Sequence, residues 1–174
     1  IDYSKVNYSK EPYANSPSQV ISYCECHDNN VLWDKLKAST KSTNLDQLRD
    51  MHKLALSIVL TSQGISFLHA GTEFLRTKNG VENSFKSPDS INAIDWSLKS
   101  ENLDVFNYVK GLIKMRKMHP AFRLTTQKDV ASLINFTKQN QPNVVSYQLN
   151  GGKIGDTWKN IFIAYSTELN NIHM

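Results

Sequence analysis

Val20-Ile21-Ser22-Tyr23-Cys24-Glu25-Cys26 is β-branched and aromatic at its start, the composition of a short strand. It runs into His27-Asp28-Asn29-Asn30, a polar cluster that cannot continue a buried strand. Downstream, Asn44 is placed to cap a helix, with Gln47 three residues on in capping-box position. Leu45, Leu48, Met51, Leu54, Ala55, Ile58 and Val59 then recur at a helical period, and Gly64 stands where a helix C-terminus favours glycine. Ile65-Ser66-Phe67-Leu68-His69-Ala70, short, mostly apolar and closed by Gly71, has the profile of a buried parallel strand. Residues 20–70 therefore predict strand, helix, strand, a βαβ unit with a parallel sheet. In such sheets function collects at the carboxyl ends of the strands. That places His27-Asp28-Asn29 and the polar loop from Thr72 to Asn92 on one rim.

Upstream, residues 1–19 are polar and rich in Tyr, Ser and Pro, and read as loop. Downstream, residues 102–118 predict a second helix with Val105, Tyr108, Val109 and Leu112 on one face, stopped by Pro120. Beyond a boundary near 121–128 the character changes. Val130–Asn135, Val144–Leu149 and Ile161–Tyr165 read as strands without intervening helices, an antiparallel module. Two parallel strands leave open sheet edges, and three strands make a thin β domain. Each half is expected to be part of something larger.

Composition narrows the function classes. The chain has 174 residues and a net charge of 20 − 16 = +4, with 40% hydrophobic and 21% charged residues. Disordered and collagen-like chains are excluded. No stretch approaches the ~20 apolar residues of a membrane span, so no membrane partner is expected. Neither half is a basic domain, so no nucleic-acid partner is expected either; Lys114, Arg116, Lys117 and His119 read as cations complementing a helix C-terminus. Cys24 and Cys26, one residue apart, cannot easily bridge to each other, and fall short of the four ligands of a zinc site. As free thiols they lean towards a reducing, cytoplasmic compartment, with localisation otherwise unknown. There is no His-Glu-x-x-His, Gly-x-Ser-x-Gly or phosphate-binding glycine loop.

Tyr23-Cys24-Glu25-Cys26-His27-Asp28-Asn29, followed by Leu32-Trp33-Asp34-Lys35-Leu36, resembles the last signature region of the alpha-amylase clan. It is most similar to type I pullulanases, debranching enzymes that cleave alpha-1,6 links in pullulan and starch. Further blocks agree: Gly71-Thr72-Glu73-Phe74-Leu75-Arg76-Thr77-Lys78, Asn83-Ser84-Phe85, Ser87-Pro88-Asp89-Ser90-Ile91-Asn92 and Asp95-Trp96. The resemblance implies an α/β then all-β chain. Residues 1–124 would be the last part of a (β/α)8 barrel, strands seven and eight with their helices. Residues 125–174 would begin a C-terminal antiparallel β-sandwich. Asp28 matches the family's transition-state-stabilising carboxylate and His27 the histidine that binds the same sugar. Asn29, Trp33, Asn83, Asp89 and Asn92 are candidate substrate contacts. Core packing is an equal reading for Trp33, and turn chemistry for the loop residues.

A retaining glycosidase also needs a nucleophile and a general acid, which the family carries on earlier barrel strands. Asp2, Glu11 and Glu25 are the carboxylates preceding Asp28; Asp2 and Glu11 lie in loop-like context without the flanking residues the family carries at those sites, and Glu25 lies within the expected strand. The chain is thus expected to be a fragment, ending abruptly at Asn171-Ile172-His173-Met174 and inactive alone. The resemblance implies an alpha-glucan substrate and no cofactor, and leaves calcium open for the full-length protein. The expected partner is the remainder of the parent enzyme, or a second copy pairing through exposed barrel edges. Glu73 and Arg76 read as a structural ion pair, and His52 and His69 as structural. Two rival readings stand beside this one: a non-catalytic alpha-glucan-binding module, holding ligand through Trp33, Phe85 and the rim amides, and a structural α/β fragment.

Overall fold

A computed structural model describes residues 14–137 and 142–168. The readings of residues 1–13 as loop, of Asp2 and Glu11 as non-catalytic, and of the Asn171–Met174 end lie outside the described residues. The chain divides into two compact units. Of the described residues, a helical unit comprises Ser22–Ser62 and Ser66–Met118, and a sheet unit takes 14–21, Gln63–Ile65 and those from His119 onward.

β1 (Ile21–Ser22) and β2 (Ile65–Ser66) form a two-stranded sheet. Ile65 N–H donates to the Val20 carbonyl and Phe67 N–H to that of Ser22, so both strands advance in the same sense, as in a parallel pair. Both are shorter than the expected 20–26 and 65–70. The second is also not buried: Ile65 and Phe67 are exposed, because no described element covers that face of the sheet. Gly64 works differently from a helix cap. At φ +93 it passes the first strand so closely that a Cβ would stand 2.7 Å from the Val20 carbonyl oxygen.

In the helical unit, α1 (Leu32–Ser39), α2 (Leu45–Thr61) and α5 (Leu103–Met118) enclose a core of Leu32, Leu56, Leu60, Leu75, Val105 and Val109. Two short helices, α3 (Asp89–Asn92) and α4 (Ser97–Glu101), lie between. Asn44 caps α2 as expected, its Oδ1 accepting from Asp46 and Gln47 N–H. The Gln47 side chain reaches back indirectly, accepting from the Ser42 hydroxyl that itself accepts from Asn44 N–H. The buried stripe of α2 is rotated from the expected one. It runs through Leu48, His52, Leu56, Val59 and Leu60, while Leu45 and Ile58 are exposed. The reason is His52: its Nε2 meets the Thr72 carbonyl at 2.8 Å, which lets an imidazole occupy a core position. Arg116 is buried and donates to the Leu60 and Ser62 carbonyls, so this cation caps α2 rather than its own helix.

Burial pushes the His52 imidazole down to about 4, against the raising effect of the Thr72 hydrogen bond. An unfolded chain takes up that proton near its ordinary value, the folded one only near 4. The stabilisation from neutral His52 is therefore complete above about pH 6.5 and is lost as pH falls towards 4, a change of about 3 kcal/mol. Urea unfolding at pH 7 and pH 4.5 should show this slope. His52→Gln, which retains a donor for Thr72, should flatten it; an unchanged slope in that variant would assign the acid lability elsewhere.

In the sheet unit, β3 (Ile134–Phe136), β4 (Val144–Leu149) and β5 (Ile161–Ser166) form an antiparallel sheet in the order β3-β4-β5. Ile134 pairs with Leu149, and Val144 with Ser166. The expected strand over 130–135 is corrected. Residues Gln127–Leu133 form a helix, α6, because the Thr126 hydroxyl oxygen accepts from Asp129 N–H while its O–H donates to the Asp129 carboxylate. That local cap outweighs the β-branched Val130. Deeper in the unit, the Asp156 carboxylate accepts from Ala121 and Trp158 N–H and meets His119 Nδ1 at 2.7 Å, with the Trp158 ring stacked on the imidazole. Among the described residues no helix is long and apolar enough to cross a membrane.

Candidate functional site

The polar segment that follows β1 is built by a residue that local patterning gives no reason to single out. Glu25 is buried, and its Oε2 accepts from Leu32 N–H at 2.6 Å. Leu32 is the first residue of α1, whose N-cap, Val31, offers no side-chain acceptor. Glu25 therefore supplies the missing cap from seven positions upstream and closes the base of the loop between them. Burial raises its carboxyl, opposed by the Leu32 hydrogen bond and the Arg76 charge among others.

The loop so closed carries His27, Asp28 and Asn29 outward, all three exposed. Among the described residues the Asp28 carboxylate meets only the His27 ring, with Nε2 at 3.5 Å. At the loop tip Asn29 adopts φ 60, and its N–H donates to Asn83 Oδ1 at 3.0 Å. This bond joins the loop after β1 to the loop after β2, so the structure brings the neighbourhood of Asp28 together with Asn83.

Behind the rim lies a buried polar network. The Lys78 ammonium donates to the Ser84 hydroxyl at 2.6 Å, and that hydroxyl donates to Asn92 Oδ1 at 2.7 Å. Asn92 Nδ2 donates to the Ser84 and Ser87 carbonyls, so every hydrogen-bonding group of its amide is engaged inside the protein. Arg76 Nη2 donates to the Asn92 carbonyl and Nη1 to that of Ala70. The expected ion pair with Glu73 does not form: Glu73 instead accepts from Gly71 N–H. Burial, followed by the charges of Arg76, Lys78 and His27, pushes the His69 imidazole below its ordinary range.

Asp34 organises the same loop from the helix side. It is 2% exposed and accepts from the Thr77 hydroxyl, Lys78 N–H and Gly80 N–H. Burial alone would raise its carboxyl; these three hydrogen bonds and the Lys37 charge outweigh it and hold it below the usual range.

The remaining candidates lie as follows. Asp89 is exposed at the first turn of α3. Trp33 packs against the core cluster and meets His52 edge-on at 6.1 Å. Phe85, next to Ser84, is 80% exposed. Glu25, Asp34, Lys78 and Ser84 escaped sequence reasoning as site-building residues. Their hydrogen-bond partners lie 6 to 46 positions away, and only the presence of buried-type charges within the quoted blocks hinted at them. A cleft of about 300 Å³ lined by Leu68, His69, Glu73, Phe106, Lys110 and Ile113, among others, does not include Asp28. Both cysteines are free. Among the described residues, no group of three or more His, Cys, Asp or Glu is placed to hold a metal ion.

No family model matches the chain. It is similar to the pullulanase of Bacillus subtilis, 38% identical over 154 residues, which are 88% of this chain and 21% of that protein. Among solved structures it is similar to the pullulanase of Paenibacillus barengoltzii in complex with maltohexaose and alpha-cyclodextrin (TM-score 0.88, 42% identity, 97% of this chain and 25% of that one). The pullulanase of Anoxybacillus sp. complexed with maltotetraose aligns with a TM-score of 0.84 and 44% identity, over 89% of this chain and 22% of that one. The chain thus spans between a fifth and a quarter of the length of these three relatives. In its order of signature blocks, its backbone and its sequence, this chain is similar to a part of the full-length pullulanases.

Proposed function

We propose that this chain is a segment of a retaining debranching hydrolase that cleaves alpha-1,6 links in pullulan-type alpha-glucans, and that Asp28 is its transition-state-stabilising carboxylate. The observation that carries this reading is the placement of Asp28 in the loop that follows β1. It is exposed, beside His27, on a loop fastened to the loop after β2. A carboxylate there would face the positive charge that develops on the sugar ring, stabilising the transition state more than the ground state. His27 would hydrogen-bond the same sugar. The pullulanases solved with maltotetraose and with maltohexaose support an alpha-glucan as the ligand.

In this reading residues 1–124 close a (β/α)8 barrel, with β1 and β2 as strands seven and eight, and residues 125–174 begin a β-sandwich. Asn29 and Asp89 line the rim, while Asn92 and Trp33 support it from behind. The nucleophile and the general acid, about 5 Å apart in a retaining enzyme, come from the rest of the parent protein. Reducing-sugar release from pullulan is the test. The 174 residues alone should release none and the full-length protein should release it; turnover by the isolated chain that is lost in Asp28→Asn would overturn the division of labour. A non-catalytic glucan-binding role is the second reading, favoured by the exposed ring of Phe85. Calorimetry with maltotriose, comparing the chain with Phe85→Ala, decides it.

A further inference from the structure

We propose that Asn83 is a positioning residue: its side chain holds the loop that carries Asp28 in the posture in which the carboxylate meets the sugar, without itself touching substrate. This rests on the reading of Asp28 given above. The loop is tied at two points. At its base, Glu25 accepts from Leu32 N–H. At its tip, the bond from Asn29 N–H to Asn83 Oδ1 spans 54 positions of sequence. The N–H that Asn83 receives belongs to the peptide unit directly following Asp28, so this one bond sets the plane from which the Asp28 side chain departs. Without it, the Glu25 tie at the base and the 3.9 Å contact of Cys26 Sγ with the Asp28 carbonyl would remain.

Asn83 is exposed, and its backbone is anchored through the next residue. Its neighbour Ser84 is 1% exposed and is gripped between Lys78 and Asn92. Asn83 and Asn29 both adopt left-handed backbone conformations, φ 52 and φ 60. Asparagine tolerates that region better than most residues, but such a backbone persists when its surroundings enforce it. Two facing left-handed asparagines joined by one hydrogen bond are a device for presenting the residue beside them. Asn83 Oδ1 gives one lone pair to Asn29 N–H, so a direct sugar contact would use the amide NH2 or the remaining lone pair. Coupling to Asp28 separates the positioning role from direct contact.

The experiment is a double-mutant cycle in a full-length enzyme carrying this segment, with pullulan as substrate. Asn83→Gly accepts the left-handed backbone while removing the acceptor. It should lower kcat by about 10- to 100-fold, the cost of a misplaced group, and leave KM within about threefold. In an Asp28→Asn background the same substitution should cost less than about twofold, because its effect passes through Asp28. Asn83→Asp keeps the acceptor and discards the NH2, and should retain at least half of the kcat. An equal loss from Asn83→Gly in both backgrounds, or a raised KM at unchanged kcat, would overturn the proposal. So would a loss in Asn83→Asp as large as in Asn83→Gly. A fully active Asp28→Asn enzyme would instead remove the reading of Asp28, and this proposal with it.

Discussion

Asp28→Asn in a full-length enzyme carrying this segment is expected to lower kcat/KM for pullulan by about 100- to 1,000-fold, or about 3 to 4 kcal/mol of transition-state stabilisation. The loss should fall on kcat more than on KM. Asparagine keeps the shape and hydrogen-bonding reach of the side chain, and what disappears is the charge facing a cation that exists only as the bond breaks. The fold should be indifferent. The Asp28 side chain is 66% exposed and meets only His27 among the described residues, so thermal midpoints of the two proteins should coincide within about 1 °C, as for a surface substitution. This combination, a large catalytic loss at constant stability, is what separates a working carboxylate from a turn residue. A kcat within twofold of the parent's would dismiss Asp28 as the stabilising group.

Asp34→Ala is expected to do the reverse, lowering stability first and activity only as a consequence. The carboxylate is 2% exposed and receives the Thr77 hydroxyl at 2.5 Å, Lys78 N–H at 2.7 Å and Gly80 N–H at 3.1 Å, with the Lys37 ammonium at 3.4 Å. Alanine leaves three donors without an acceptor, two of them on the backbone of the loop after β2. Removing one side of a buried, charge-assisted network costs about 3 to 5 kcal/mol. Chemical denaturation should show that loss directly, and a loss under about 1 kcal/mol would mean that water replaces the carboxylate at no cost. The effect also depends on pH. The folded Asp34 carboxyl sits below its ordinary value, so its stabilisation is complete above the unfolded value and is lost as pH falls through the folded one. Asp34→Ala should therefore narrow the stability difference from the parent as the solution is acidified.

Asp34 and Asp28 show why a sequence is uneven evidence. Both stand in the same signature stretch, six positions apart, and nothing local separates the exposed carboxylate from the buried one. Trp33, between them, reads equally as a sugar platform or as core, and its contacts with the core cluster and His52 are tertiary facts. The helix over 127–133 is a different case. Its Thr126-x-x-Asp129 cap is written locally, and the β-branched residues after it read as strand only while the cap goes unweighed.

What the chain determines by itself is whatever depends on neighbours within a few positions. The Asn44 cap, the helical period of α5 and the extent of β4 are of this kind, because backbone hydrogen bonds and apolar spacing repeat at short range. Tertiary structure decided the rest. Glu25 caps α1 from seven positions away, His52 enters the core on the Thr72 carbonyl, and Asn83 grips Asn29 across 54 positions. The physical reason is common to all three. A polar side chain becomes structural only when a distant backbone group is brought to it and water is removed, and neither condition is recorded in the residue or in those beside it.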